Sequence, residues 1–415
     1  MPNIDTVKLN NGLTIYFYMD NRRHSTFFQH ITLFGGKTKD FLFDGKEYHM
    51  QDGIAHILEH YIVEENSYGN FLKVLGENQM STNASTHYEM TRFYFEAVEN
   101  IELGIRTMLN GIYSPLFSKE RLEKIKKPIL QEIRGKMGNK FYHSNKTTLN
   151  NCFSKIKVRS IGGTLEEIAN TTLDDLIVCF EAFYQPSNQF IVVAGNFDKE
   201  NVLKTIKEVY EKLDIRQHDV HLLELNEDIN VVNPRGIVLF PTGEEYTEIT
   251  YKVNLDNFSI KDRLKLDFYL QYFFNMYFGL TSLLYKELID NQIITTSLSC
   301  SDFRIDNYML ISIGSYTNKS LEFEKRIRDV FLKLDNFNEE IFEIDKRDSI
   351  LKIILRGESL GDTIFPFVTN IVDFNYPYPD EVSDIEDFSF DDFVTMIKRL
   401  DFNHSTVTII QNKEA

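Results

Sequence analysis

Apolar and polar positions alternate along the 415-residue chain in a pattern that runs through once and then starts again. Residues 1 to about 215 begin strand-rich and continue through a short helix around 52–60. Strand character follows at 80–98, then helices to about 150, then a closing strand and helix at 189–213 whose strand is the apolar run 190–194. Residues 216–234, rich in Asp, Glu, Asn and His, read as a linker. From Gly236 the order repeats: strands at 237–240 and 247–255, a long helix from about 260 to 290, strands near Ile294 and Tyr308, two further helices, and a closing strand at 405–410 that mirrors 189–194. Runs of strands followed by runs of helices predict an α+β fold. The expectation is two similar domains, 1–215 and 235–415, each a mostly antiparallel sheet packed with helices.

Composition narrows the class. An apolar content of 42% is ample for two substantial cores, so the chain is globular. It contains no apolar run of eighteen residues and no basic-then-apolar leader at its start, so neither a membrane span nor a secretory signal is expected and the expected location is cytoplasmic. Cys152, Cys179 and Cys300 are odd in number and lack C-x-x-C spacing, which argues against a disulfide framework and against a cysteine metal site. The net charge of −17 disfavours nucleic acid as a partner.

The chemistry is concentrated in Asp52-Gly53-Ile54-Ala55-His56-Ile57-Leu58-Glu59-His60. His56 and His60 are one helical turn apart, so their rings project side by side and can share one metal ion. Glu59 lies between them in sequence, placed to hold the attacking water without binding the metal. The order H-x-x-E-H is the inverted form of the H-E-x-x-H zinc motif. A catalytic zinc site needs a third protein ligand and an open fourth position. The helical segment KERLEKIKKPILQEIRGKMG supplies a candidate in Glu132, 72 residues after His60.

With Glu132 in its I-L-Q-E setting, the chain resembles the pitrilysin family of zinc peptidases, in which the third ligand is a glutamate on a later helix at a comparable distance. Other stretches carry the same resemblance: Leu9-Asn10-Asn11-Gly12-Leu13-Thr14-Ile15 as an opening hairpin, Gly162-Gly163-Thr164, Phe183-Tyr184-Gln185-Pro186, and Gly195-Asn196-Phe197-Asp198. Met80-Ser81-Thr82-Asn83-Ala84-Ser85-Thr86, followed by Thr91, resembles the edge strand beside the zinc, where Asn83 and Ala84 would bind the peptide backbone. The resemblance implies a half-clamshell of two related domains, Zn²⁺ held by His56, His60 and Glu132, Glu59 as general base, and a short or unfolded peptide as substrate.

The same resemblance exposes two departures. Family members place an arginine and, seven residues later, a tyrosine in the second domain to hold the substrate carbonyl; here those positions are Ile289 and Thr296. Neither can stabilise a developing oxyanion, and one lost donor costs roughly 10²- to 10³-fold in rate. The resemblance therefore implies a heterodimer with a same-fold partner that lacks H-x-x-E-H and supplies Arg and Tyr. The competing expectation is a non-catalytic scaffold or peptide-binding subunit, disfavoured by the intact motif. The second departure is Ile125, seven before Glu132, where relatives carry an outer acidic residue that supports the metal.

Overall fold

A computed structural model describes residues 3–156, 161–213, 215–223, 226–378 and 382–413. Two compact units emerge, each assembled from separate stretches of chain: residues 1–136, 158–224 and 359–378 in one, and 137–157, 225–358 and 379–415 in the other. The linker expected at 216–234 is divided between them, and its residues 224 and 225 lie outside the described residues.

The first unit is built on a six-stranded sheet in the order Asn3–Lys8, Thr14–Met19, Gln189–Gly195, Thr26–Thr32, Thr91–Ala97, Ser81–Thr86. All pairings are antiparallel except Thr14–Met19 with Gln189–Gly195. The opening hairpin is present, with Gly12 at φ +92° in the turn between its strands. Strand character at 80–98 resolves into two strands folded on each other, Ser85 opposite Arg92. Strands Thr26–Thr32 and Gln189–Gly195 are buried along their whole length, because both faces of the sheet are covered. One face packs on helices including Ile54–Glu64 and Ile101–Ile112 through Phe28, Phe93, Phe95, Leu58 and Ile105. The other, carrying Tyr16, Ile31, Phe190 and Val192, packs on Leu360, Ile364, Phe367 and Val368 of the helix Leu360–Phe374.

The second unit repeats the plan. Its sheet runs Arg235–Phe240, Ser405–Asn412, Tyr246–Asn254, Tyr308–Tyr316, Ser299–Ile305, with one parallel pair, Arg235–Phe240 with Ser405–Asn412, and the rest antiparallel. Strand for strand this matches the last five strands of the first sheet, so the repetition visible in the sequence is a repetition of topology. The helix Lys140–Cys152 lies on this sheet, and Gly236 permits its close approach: a Cβ there would fall 2.5 Å from the Thr147 methyl. Helices Lys140–Cys152 and Leu360–Phe374 thus each belong to the unit built mainly from the other half of the chain. The linear ranges 1–215 and 235–415 do not show this exchange, because the apolar stripe of a helix says that a face is buried but not against which sheet.

Three local expectations for the second half are corrected. The long helix at 260–290 is two helices, Ile260–Phe278 and Leu283–Asp290, because Gly279 ends the first and the Ser282 hydroxyl caps the second. No strand forms at Ile294; the strand is Ser299–Ile305. Among the described residues five helices, not two, follow Tyr308–Tyr316, since this stretch is punctuated by N-capping Asn338, Ser359 and Ser389. From the expected linker, Glu227 accepts hydrogen bonds from the amides of Ser154, Lys155 and Ile156 and pairs with the buried Lys252. Burial alone would raise its pKa; the three amides and Lys252 outweigh burial and hold it at about 2.

Candidate metal and peptide site

The helix Ile54–Glu64 begins where two glycine-bearing backbones press together. Gly53 sits at φ +86° and Gly163 at φ +70°; a Cβ on Gly163 would stand 2.4 Å from the Asp52 carbonyl oxygen, and one on Gly53 2.7 Å from that of Gly162. Only glycine tolerates both the left-handed backbone and the contact. Asp52 is further fixed by a buried ion pair with Lys39. The opposite end is clamped by Glu65, whose buried carboxylate accepts from Arg121 and Lys124 on the helix Lys119–Met137. Ile57, Leu58, Tyr61 and Ile62 drive one side of the helix into the core, which leaves His56 and His60 on the other.

There the structure brings His56, His60 and Glu132 together: one ligand atom from each lies within 4.8 Å of the others. The imidazole rings are 4.8 Å apart at 83°, and His56 Nε2 is 3.8 Å from Glu132 Oε2. The other carboxylate oxygen of Glu132 is held by Lys136 Nζ at 2.6 Å, a contact one turn along the same helix that the motif search did not anticipate. Burial, reinforced by His60, lowers the pKa of His56 to about 4, so its ring is neutral near pH 7 and offers a lone pair. Burial works to raise the pKa of Glu132, but Lys136 and His56 outweigh it and the carboxylate lies below its ordinary value. Two imidazoles and one carboxylate are the donor set of a catalytic zinc site, three protein ligands with a fourth position left over.

Glu59 stands apart from that triad. It is buried, and its Oε2 accepts a 2.6 Å hydrogen bond from the Thr86 hydroxyl at the end of the edge strand. Burial raises its pKa, the Thr86 bond opposing. Thr86 is a residue that sequence reasoning missed as a partner of Glu59; its place in a strand after Asn83-Ala84 was the available signal. All four groups line one cavity of about 470 Å³ together with Asn83, Ala84 and Ser85. The strand Ser81–Thr86 pairs only with Thr91–Ala97 among the described strands, so its far edge is open.

At the outer positions, Ile125 is fully buried in the apolar core and does not face the cavity. Glu123, on the surface, pairs with Lys126. A carboxylate does approach His60, however: Glu64 Oε1 is 3.6 Å from His60 Nδ1.

The second unit holds a counterpart cavity of about 390 Å³ between Ile260–Phe278, Glu339–Arg356 and Leu298–Cys300. Gln271 and Asn275 stand four apart there, as His56 and His60 do, and Asp348 pairs with Lys352 at 2.6 Å as Glu132 pairs with Lys136. Gln271 and Asn275 offer amides and not imidazoles, and no histidine is among the residues lining this cavity. Ile289 packs against the second core and Thr296 is exposed. The next arginine and tyrosine along the chain, Arg304 and Tyr308, are engaged elsewhere: Arg304 pairs with Asp267, and the Tyr308 hydroxyl donates to the Glu227 carbonyl at 2.7 Å.

Comparison with known proteins matches the two halves to different family models. Residues 45–151 match the insulinase family model, peptidase family M16, and residues 170–347 match the model of the M16 inactive domain. The chain belongs to the M16 insulinase family. The zinc protease YmfH of Bacillus subtilis, itself uncharacterized, is 31% identical over 204 residues, 48% of this chain and 47% of that one. The matched stretch thus spans about half the length of that curated relative. Among solved structures, an M16-like peptidase from Alicyclobacillus acidocaldarius superposes with a TM-score of 0.88 at 22% identity over 99% of both chains. The periplasmic protease PqqL of Escherichia coli gives 0.76 at 13% identity over 99% of this chain but 48% of its own. At these identities the likeness establishes the M16 two-domain α+β fold. No helix among the described residues is long and apolar enough to cross a membrane.

Proposed function

We propose that this chain is the zinc-binding subunit of an endopeptidase that cleaves short or unfolded peptides. The observation that carries the reading is the convergence of His56, His60 and Glu132 on one point of a cavity that also contains a separately held Glu59. When bound, a zinc ion supplies Lewis-acid polarisation of the scissile carbonyl and lowers the pKa of a water toward neutrality. Glu59, oriented by Thr86, takes the proton of the attacking water and delivers it to the departing amine; its raised pKa brings it closer to the range suited to both steps. Asn83 and Ala84, on the open edge strand, hold the peptide extended by adding it to the sheet.

Oxyanion stabilisation has no source at Ile289 or Thr296, so the active form is a heterodimer with a same-fold partner that carries arginine and tyrosine. The match of this chain to about half of the PqqL chain supports a two-part architecture. The scaffold reading draws its support from the inactive-domain match and the amide-lined second cavity, but it gives no role to Glu59 and the three ligands together. The test is metal content and turnover on matched variants. Glu132→Ala is expected to lose zinc while the fold persists. Glu59→Gln is expected to keep zinc and lose at least the roughly 10²- to 10⁴-fold typical of a general base. Full zinc occupancy in Glu132→Ala, or normal turnover by Glu59→Gln, would refute the assignment.

A further inference from the structure

Among the described residues Arg92 is a cation without a carboxylate partner. It lies on the strand Thr91–Ala97, directly opposite Ser85 of the edge strand, and its Nε donates to the Ser85 hydroxyl at 2.8 Å. Its guanidinium lies 4.7 Å from the ring centre of Phe365 and 5.4 Å from that of Tyr94. Among the described residues no acidic side chain pairs with it, although the chain has 62 acidic residues against 45 basic ones. The neighbouring Glu89 pairs with Lys37. Partial burial lowers the Arg92 pKa from its usual value, as expected for a cation held on apolar rings rather than on an anion. His87, the other titratable group at Ser85, is held by burial at about 4 and is neutral near pH 7.

Strand geometry gives this cation a direction. Side chains alternate between the two faces of the sheet, and residues directly opposite on paired strands share a face. Arg92 and Ser85 share the face covered by the helix Leu360–Phe374, whereas Ala84 and Phe93 lie on the face of Ile54–Glu64. The Nε bond to Ser85 draws the guanidinium over the edge strand, toward its open side. A peptide added there would lie one further strand spacing out, about 4.8 Å. Its residue opposite Ser85 would project onto the same face and could meet the remaining guanidinium N–H groups. Phe365, 39% exposed, leaves that position accessible.

We propose that Arg92, seated on Phe365 and steered by Ser85, is a specificity-determining residue that selects peptides with an aspartate or glutamate at the position paired with Ser85. The inference rests on strand addition at Ser81–Thr86 as read above, but it requires neither cleavage nor a partner subunit, so binding alone can test it. The probes are dye-labelled dodecapeptides of one alternating Ala/Val sequence, with a single Glu, Gln or Lys scanned along it. They are titrated by fluorescence anisotropy against the full-length Glu59→Gln chain. At one position in the scan Glu is expected to bind about tenfold tighter than Gln, in line with a hydrogen bond to a charged group. Arg92→Gln should abolish the difference, Arg92→Glu should turn it toward Lys, and Arg92→Lys, which keeps the charge, should retain a preference for Glu. A preference for Glu that survives in Arg92→Gln, or is lost in a folded Arg92→Lys, would overturn the subsite while leaving strand addition intact. Absence of binding by every peptide would overturn strand addition and the subsite with it, whereas failure of the peptidase reading would show only in turnover.

Discussion

His30 sits at the centre of the fully buried strand Thr26–Thr32, with its Nε2 3.4 Å from the Tyr210 hydroxyl and 3.5 Å from that of Tyr113. Its Nδ1 has no hydrogen-bond partner among the described residues. Burial depresses its pKa to about 3, so the folded state keeps the ring neutral where the unfolded chain, titrating near 6.5, takes up a proton. The unfolded state binds more protons between these values, so stability falls as pH is lowered from about 6.5 toward 3. His30→Leu should have a flatter dependence of melting temperature on pH across that window than the parent, whatever its stability at pH 7. Equal slopes would mean that the ring is protonated in the fold. The residues of the candidate site differ in kind from His30, since their polar atoms converge on an open cavity.

At the scale of elements, the position of the metal-site helix depends on a contact that contains no catalytic group. Asp52-Gly53 and Gly162-Gly163 touch through backbone, which is why a Gly-Gly pair a hundred residues away accompanies the H-x-x-E-H motif. Gly163→Ala combines a positive φ with an impossible Cβ contact and should cost about 1–3 kcal/mol, with zinc affinity falling as the helix shifts. Gly135→Ala is the control: a Cβ there meets nothing within 4 Å inside the helix Lys119–Met137, so that variant should be stabilised by up to about 1 kcal/mol. Denaturant midpoints of the two variants measure the contrast. The edge strand is equally dependent on its setting, because Thr86 reaches Glu59 only if the hairpin register of Ser81–Thr86 on Thr91–Ala97 is kept.

For the whole molecule, two sheets share one topology, and among the described residues a group that could hold a metal ion is found in one unit, at His56, His60 and Glu132. The second cavity also holds a carboxylate–lysine pair but is lined by the amides of Gln271 and Asn275 and by no histidine, and Ile289 and Thr296 stand where the family resemblance places arginine and tyrosine. The purified chain alone should therefore turn over peptides at least about 10²-fold more slowly than a mixture with a same-fold partner carrying both donors. Mutating the partner's arginine should remove that gain without releasing zinc from this chain. Robust activity of the pure chain, checked by mass spectrometry for contaminating partner, would show that the missing donors are supplied from within.

The sequence by itself determined the class of fold and pointed to the chemistry proposed for it. H-x-x-E-H is local, because one helical turn carries two histidines and a glutamate, and the runs of strands and helices carry the α+β class, whereas the duplication was implied by the family resemblance and not by periodicity alone. Glu132 was legible through its motif setting, at a separation that no local rule predicts. Tertiary structure decided whatever depends on two distant segments meeting: the Gly53–Gly163 contact, the hydrogen bond from Thr86 to Glu59, the grip of Lys136 on Glu132, the exchange of Lys140–Cys152 and Leu360–Phe374 between units, and the unpaired charge of Arg92. The physical reason is the same in each case. Periodicity specifies which face of an element is buried, but the partner of that face, and so the surroundings of each polar group on it, is set only when the sheets and helices pack.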